Sequence, residues 1–290
     1  MTAVFSWIRD SVINLYNLVS DMLSFSFMQR ALIVGLLVSL CAALLGVNLV
    51  LKRYAMIGTA LGNVGFMVMA IAGIIDIAPV AVSLPVVIIA AFAMLRMSEK
   101  SKVKGDSVVA LVSTSSIAIG VVFTGLTTGI TLHICNVMFG SIFVMTQRDL
   151  YLSIAVSIAV VSLFVLFYKQ LFAVTHDEDF AKATGTRVEI YKSMLAILTA
   201  VTIVLGMRMM GAMLIAALTI FPALSAMQLC KRFLSVVIAS AIIGVLCFMV
   251  GMVISFGLDL PPGASVVGVN LILYIIFCLV GVIKRRGFVK

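Results

Sequence analysis

Long apolar runs alternate with short polar breaks along almost the whole chain. Runs of span length lie at 30–51, 56–75, 78–96, 107–129, 150–168, 191–206, 210–230, 233–256 and 265–283. They match or approach the ~20 residues a helix needs to cross the hydrocarbon core. The period-two alternation of a membrane β-strand is absent, so the pattern predicts helices. Only Met207, Arg208 and Met209 part the runs 191–206 and 210–230. These two runs read as separate spans or as one short span beside a long one, which leaves about eight or nine spans in all. Residues 1–25 are apolar on one face but interrupted by Arg9, Asp10, Asn14 and Asp21. That suits an amphipathic segment lying at the interface better than a secretory signal. The remaining residues, 26–290, read as a single membrane domain.

The largest polar exception runs from Lys169 to Lys192. Within it, Asp177-Glu178-Asp179-Phe180-Ala181-Lys182-Ala183-Thr184-Gly185 predicts a small amphipathic helix. Acids occupy its first turn, where the helix dipole favours negative charge, and Gly185 stands where a C-terminal cap is expected. A helix held in an aqueous loop of a membrane protein is a docking element. Outer turns have their own signals. In Leu258-Asp259-Leu260-Pro261-Pro262-Gly263-Ala264, two prolines fix φ and Gly263 offers backbone freedom. Met138 to Ile142 is apolar but too short to span, and reads as a re-entrant or interfacial piece.

Composition agrees: 63% of residues are hydrophobic and 11% charged, where a soluble domain carries about a quarter charged. A net charge of +9 would point to nucleic acid in a soluble protein. Here the distribution of the charge argues otherwise, and no nucleic-acid partner is expected. If the 169–192 loop is cytoplasmic, the basic residues outside that compartment are Arg9, Arg30, Arg148 and Arg208, which leaves 16 of the 20 inside. This follows the positive-inside rule and puts the C-terminus, with Lys284, Arg285 and Arg286, in the cytoplasm. The expected location is the cytoplasmic membrane of a bacterium, crossed many times. Cys41, Cys135, Cys230, Cys247 and Cys278 are scattered, without the spacing of a zinc site or disulfide framework.

None of the 11 acidic residues falls at the centre of a span, and neither His133 nor His176 is intramembrane. Ion-coupled carriers place such groups in the bilayer to hold the driving ion. Transport by this chain would draw its energy elsewhere. The chain contains no GxxxxGK[ST] phosphate loop, so an ATPase would be a separate polypeptide.

Six segments carry a family resemblance across residues 27–284. They are Phe27 to Leu32, Lys104 to Val108 leading into Ala118 to Val122, Met138 to Ile142, Asp177 to Gly185, Gly211 to Ala223, and Asp259 to Gly263. Together they resemble the permease subunits of bacterial metal-ion ABC importers of the zinc/manganese/iron class. The resemblance implies an all-α polytopic fold related to type II ABC importer permeases. It implies that Asp177, Glu178, Asp179, Phe180, Ala181 and Gly185 form a coupling helix docking into an ABC ATPase subunit. It also implies an extracellular substrate-binding protein and a second permease copy, identical or not. On this reading the chain performs no chemistry and needs no cofactor of its own.

One departure bears on the substrate. Where the family usually reads D-A-L-S-H-A, this chain reads Thr59-Ala60-Leu61-Gly62-Asn63-Val64. The i, i+4 spacing keeps Thr59 and Asn63 on one helix face, but the carboxylate and imidazole that suit Zn²⁺ or Mn²⁺ are gone. Thr59 and Asn63 are read as lining the translocation path, against the alternative that they bond between packed helices. No residues are assigned as metal ligands. His133 and Cys135 lack the further ligands a metal needs, and Met207, Met209, Met210 and Met213 read as packing residues. The leading function is the permease of an ATP-driven importer for a divalent metal ion. The rivals are an ion-coupled secondary carrier and a non-transporting membrane scaffold.

Overall fold

In hydrocarbon each backbone N–H and C=O must be satisfied within its own segment, so apolar runs of this length fold as helices. The computed structural model describes residues 20–52, 54–75, 79–100, 105–125 and 147–287, and every element among them is helical. In chain order these are α1 (Ser26–Leu51), α2 (Ile57–Ile75), α3 (Pro79–Lys100), α4 (Gly105–Gly125), α5 (Gln147–Leu166), α6 (Tyr168–His176), α7 (Glu178–Ala183), α8 (Val188–Met210), α9 (Ala212–Leu229), α10 (Phe233–Leu258) and α11 (Pro262–Gly287). Among the described residues, seven helices are long and apolar enough to cross a membrane, or eight if the bent pair α5–α6 counts as one. Every expected span meets a helix, so the all-α polytopic architecture stands. The apolar part of α3 is short, covering Val82–Met94.

Three boundaries differ from expectation. The chain does not leave the membrane domain as a loop at Lys169. It bends by 69° at Phe167 and continues as α6. The break between α8 and α9 falls at Gly211, with φ 88°, rather than at Arg208. Both flanking helices are full length, and Gly206 packs against Ile215, so the chain folds back on itself there. In the turn after α10 the left-handed residue is Asp259, with φ 50°, whereas Gly263 lies in the first turn of α11. The prolines explain the shift: Pro262 starts the helix, where a missing N–H costs nothing, so the reversal is taken up earlier. His133, Cys135, the segment 138–142 and residues 1–19 of the N-terminal segment lie outside the described residues.

The core is built around α1, whose buried positions run from Met28 to Leu49. Small residues let backbones approach, as is usual between membrane helices. Gly46 of α1 lies against the backbone of Thr219 in α9, and Gly251 of α10 against Val266 of α11. On α2, Gly58 faces Thr219, Gly62 faces Ala212 and Gly65 faces Met207. Met207, Met209 and Met210 are buried in this core while Met213 is exposed, so the four thioethers do not converge.

The basic segments gather at one end of the bundle. Lys52 at the end of α1 and Lys192 near the start of α8 both reach Glu178. Phe233, after Lys231 and Arg232, packs its ring at a tilt against Phe172 of α6 with centroids 4.7 Å apart. Phe25 and Phe256 meet at the other end.

Candidate functional site

Asp177 ends α6 and begins α7. Its backbone is extended, and its Oδ1 accepts hydrogen bonds from the N–H groups of Asp179 and Phe180, each at 3.0 Å. This N-cap satisfies two donors that a six-residue helix would otherwise leave open. The other end closes on Gly185, with φ 81°. The Gly185 N–H donates to the Lys182 carbonyl and the Thr186 N–H to the Ala181 carbonyl, both at 3.0 Å. This is a Schellman cap, and it places a left-handed residue where glycine carries no Cβ penalty.

So short a helix is marginal alone, and its fixation comes from one of its faces. Ala181 is fully buried and packs with Val174 and Val188. Glu178 accepts from Lys52 Nζ at 3.0 Å through Oε1 and from Lys192 Nζ at 2.6 Å through Oε2. One turn further back, the Thr175 hydroxyl donates to Asn48 Oδ1 of α1 at 3.0 Å. The opposite face carries Phe180, 64% exposed, and Asp179, whose side chain is 99% exposed. The residues read as one docking set therefore divide. Asp177 and Gly185 close the helix, Ala181 and Glu178 seat it, and Asp179 and Phe180 face outward.

Burial alone would raise the Glu178 carboxyl above its ordinary value of 4.5, but the hydrogen bonds and charges of Lys192 and Lys52 outweigh it and hold the value lower. Because the folded value is depressed, this contribution to stability is present above the ordinary value. It is lost as pH falls through that value to the lower folded one. Thermal unfolding in detergent is expected to shift down between pH 5 and pH 3, and Glu178→Gln to shift less over the same interval.

The second candidate region is on α2. Asn63 is buried, and its Nδ2 donates to Ser113 Oγ of α4 at 2.7 Å. Thr59 lies one turn earlier and is half-buried. Beside Ser113, Thr114 and Ser115 are exposed and bond back to carbonyls of their own helix. Asn63 thus bonds across to α4, the inter-helix contact weighed above against a path, while the glycine face of α2 packs into the core. No group of three or more His, Cys, Asp or Glu side chains able to hold a metal occurs among the described residues.

Several of these residues escaped sequence reading. Lys52, Lys192, Asn48 and Thr175 seat the loop, and no local pattern links positions so far apart. Ser113 left a usable signal, because it opens a run of four hydroxyl residues, 113–116, inside an apolar span.

Known proteins are similar to this chain in sequence and in fold. The chain is 27% identical to the manganese transport system membrane protein MntC of Halalkalibacterium halodurans, over 88% of this chain and 87% of the relative. It is 28% identical to the high-affinity zinc uptake system membrane protein ZnuB of Haemophilus influenzae, over 87% and 97%. The structure of PsaBC from Streptococcus pneumoniae in complex with Fab superposes with a TM-score of 0.80 and 24% identity, covering 90% of this chain and 94% of that one. The pattern of the ABC 3 transport family matches residues 24–281. A match of that extent takes in every spanning helix and the 177–185 loop alike, and the chain belongs to the ABC 3 transport family.

Proposed function

We propose that this chain is the membrane permease of an ATP-driven importer that moves a divalent metal ion, of the manganese, zinc or iron class, into the cell. A separate ATPase docks on α7, an extracellular binding protein delivers the ion, and a second copy of the permease completes the path. The protein sits in the bacterial cytoplasmic membrane with its C-terminus inside.

The observation that carries this reading is the division of α7. One face is seated on α1 and α8, and the other presents an aromatic side chain that is mostly exposed. A short, capped helix built this way takes a push from outside and passes it inward. The relatives named for manganese and zinc support the ion class. Thr59 and Asn63 are the proposed path residues. Their neutral oxygens, together with the α4 hydroxyls, suit passage of a hydrated or partly hydrated cation rather than tight capture.

Co-expression with an ABC ATPase and reconstitution in vesicles test the reading. ATP hydrolysis is expected to rise when the binding protein is added with Mn²⁺, Zn²⁺ or Fe²⁺, with uptake of the same ion. Failure of any ATPase to co-purify would overturn it, as would uptake that survives without ATP and collapses with an ion gradient.

A further inference from the structure

The Glu178 carboxylate uses both its oxygens inside the chain, one on Lys52 and one on Lys192. The lysine side chains are 8% and 12% exposed, against 36% for Glu178. A docking carboxylate would resemble Asp179, which is open to solvent and only 3.8 Å from the exposed Lys182. Lys192 stands in the second turn of α8. A nearly buried ammonium needs opposite charge beside it, and Glu178 supplies a carboxylate oxygen at 2.6 Å.

The two lysines stand on helices that lead toward α2, α8 by direct packing and α1 by way of α9. From Lys52, α1 runs to Gly46, which meets Thr219, which in turn meets Gly58 next to Thr59. From Lys192, α8 runs to Met207, which meets Gly65, two residues from Asn63. We infer that Glu178 is a positioning residue, an internal strut that couples movement of α7 to α1 and α8 and so to the path on α2, rather than a contact for the ATPase. This rests on the permease reading above and assigns a different task to one residue of its docking helix.

The test uses the reconstituted complex and two readouts: ATPase retained through purification, and Mn²⁺ or Zn²⁺ imported per ATP hydrolysed, with whichever ion the wild type carries. Glu178→Gln is expected to retain the ATPase at wild-type level while import per ATP falls by about threefold or more, the scale of residues that modulate coupling without touching ligand. Lys52→Met with Lys192→Met is expected to reproduce the loss, and adding Glu178→Gln to that pair to deepen it little, as residues of one network are non-additive. The inference is overturned if Glu178→Gln sheds the ATPase, if the lysine pair leaves import per ATP unchanged, or if the losses multiply. The lysine variants decide the matter even if Glu178→Gln fails to fold. Phe180→Ala in the same assay separates the two readings. Retention of the ATPase by that variant would sink docking on α7, whereas the strut is judged on import per ATP alone.

Discussion

Replacing Phe180 with alanine is expected to release the ATPase from the purified complex while leaving the permease folded. The side chain is 64% exposed on a helix whose other face is anchored, so truncation removes nothing from the core. An aromatic anchor at the centre of an interface is worth about 2 kcal/mol or more on truncation, and 1.4 kcal/mol is about tenfold in affinity. The expected loss is therefore about thirtyfold in the dissociation constant. Titration of labelled ATPase against vesicles holding each variant measures it. Asp179→Ala serves as the comparison. Its carboxylate is solvated and its nearest cation is 3.8 Å away, so its removal is expected to cost less than Phe180→Ala and to depend on salt. Equal affinities for wild type and Phe180→Ala would place the docking surface elsewhere.

Much of the fold was legible because the bilayer imposes one rule: an unbroken apolar run of sufficient length must be helical. Each expected span met a helix for that reason. Breaks in the runs were harder to place. Arg208 is the conspicuous polar residue between α8 and α9, yet the chain turns at Gly211, because reversal needs a backbone conformation more than it needs a charge. Tyr168 to His176 is too polar and too short to read as a span, and it folds as a helix by burying Leu171 and Val174 under the bundle.

The short helix α7 was visible because its signals are local: acids in the first turn and a glycine at the C-terminal cap position. What seats that helix was not, since Lys52 and Glu178 are 126 residues apart. The same limit applies at Asn63. Its register placed it on a face with Thr59, but its partner Ser113 is 50 residues away on another helix, and helix pairing is invisible in a single periodic pattern.

The largest stability effect is expected at Gly46. A methyl group placed there would overlap the carbonyl oxygen of Thr219 and lie 2.9 Å from its carbonyl carbon. Both are backbone atoms of α9, so no rotamer change relieves the clash and the two helices must move apart. Overpacking where side chains can give typically costs about 1–3 kcal/mol, and a backbone contact belongs at or above the top of that range. Gly46→Ala is therefore expected to lower the unfolding temperature in detergent clearly. Gly268→Ala is the control. Nothing lies within 4 Å of a methyl group at that position, and in a helix interior alanine is favoured over glycine by roughly 0.5–1 kcal/mol. Thr219 ties the effect to function, because it also lies against Gly58 of α2, beside Thr59. Six positions beyond Gly46, Lys52 holds Glu178. Parting α1 from α9 should therefore loosen α2, proposed above to line the path, and the seat of α7 together. Import per ATP is expected to fall in Gly46→Ala at temperatures where the protein is still folded, and to hold in Gly268→Ala. If Gly46→Ala unfolds and transports like wild type, the close contact of α1 with α9 is not what holds these elements in register.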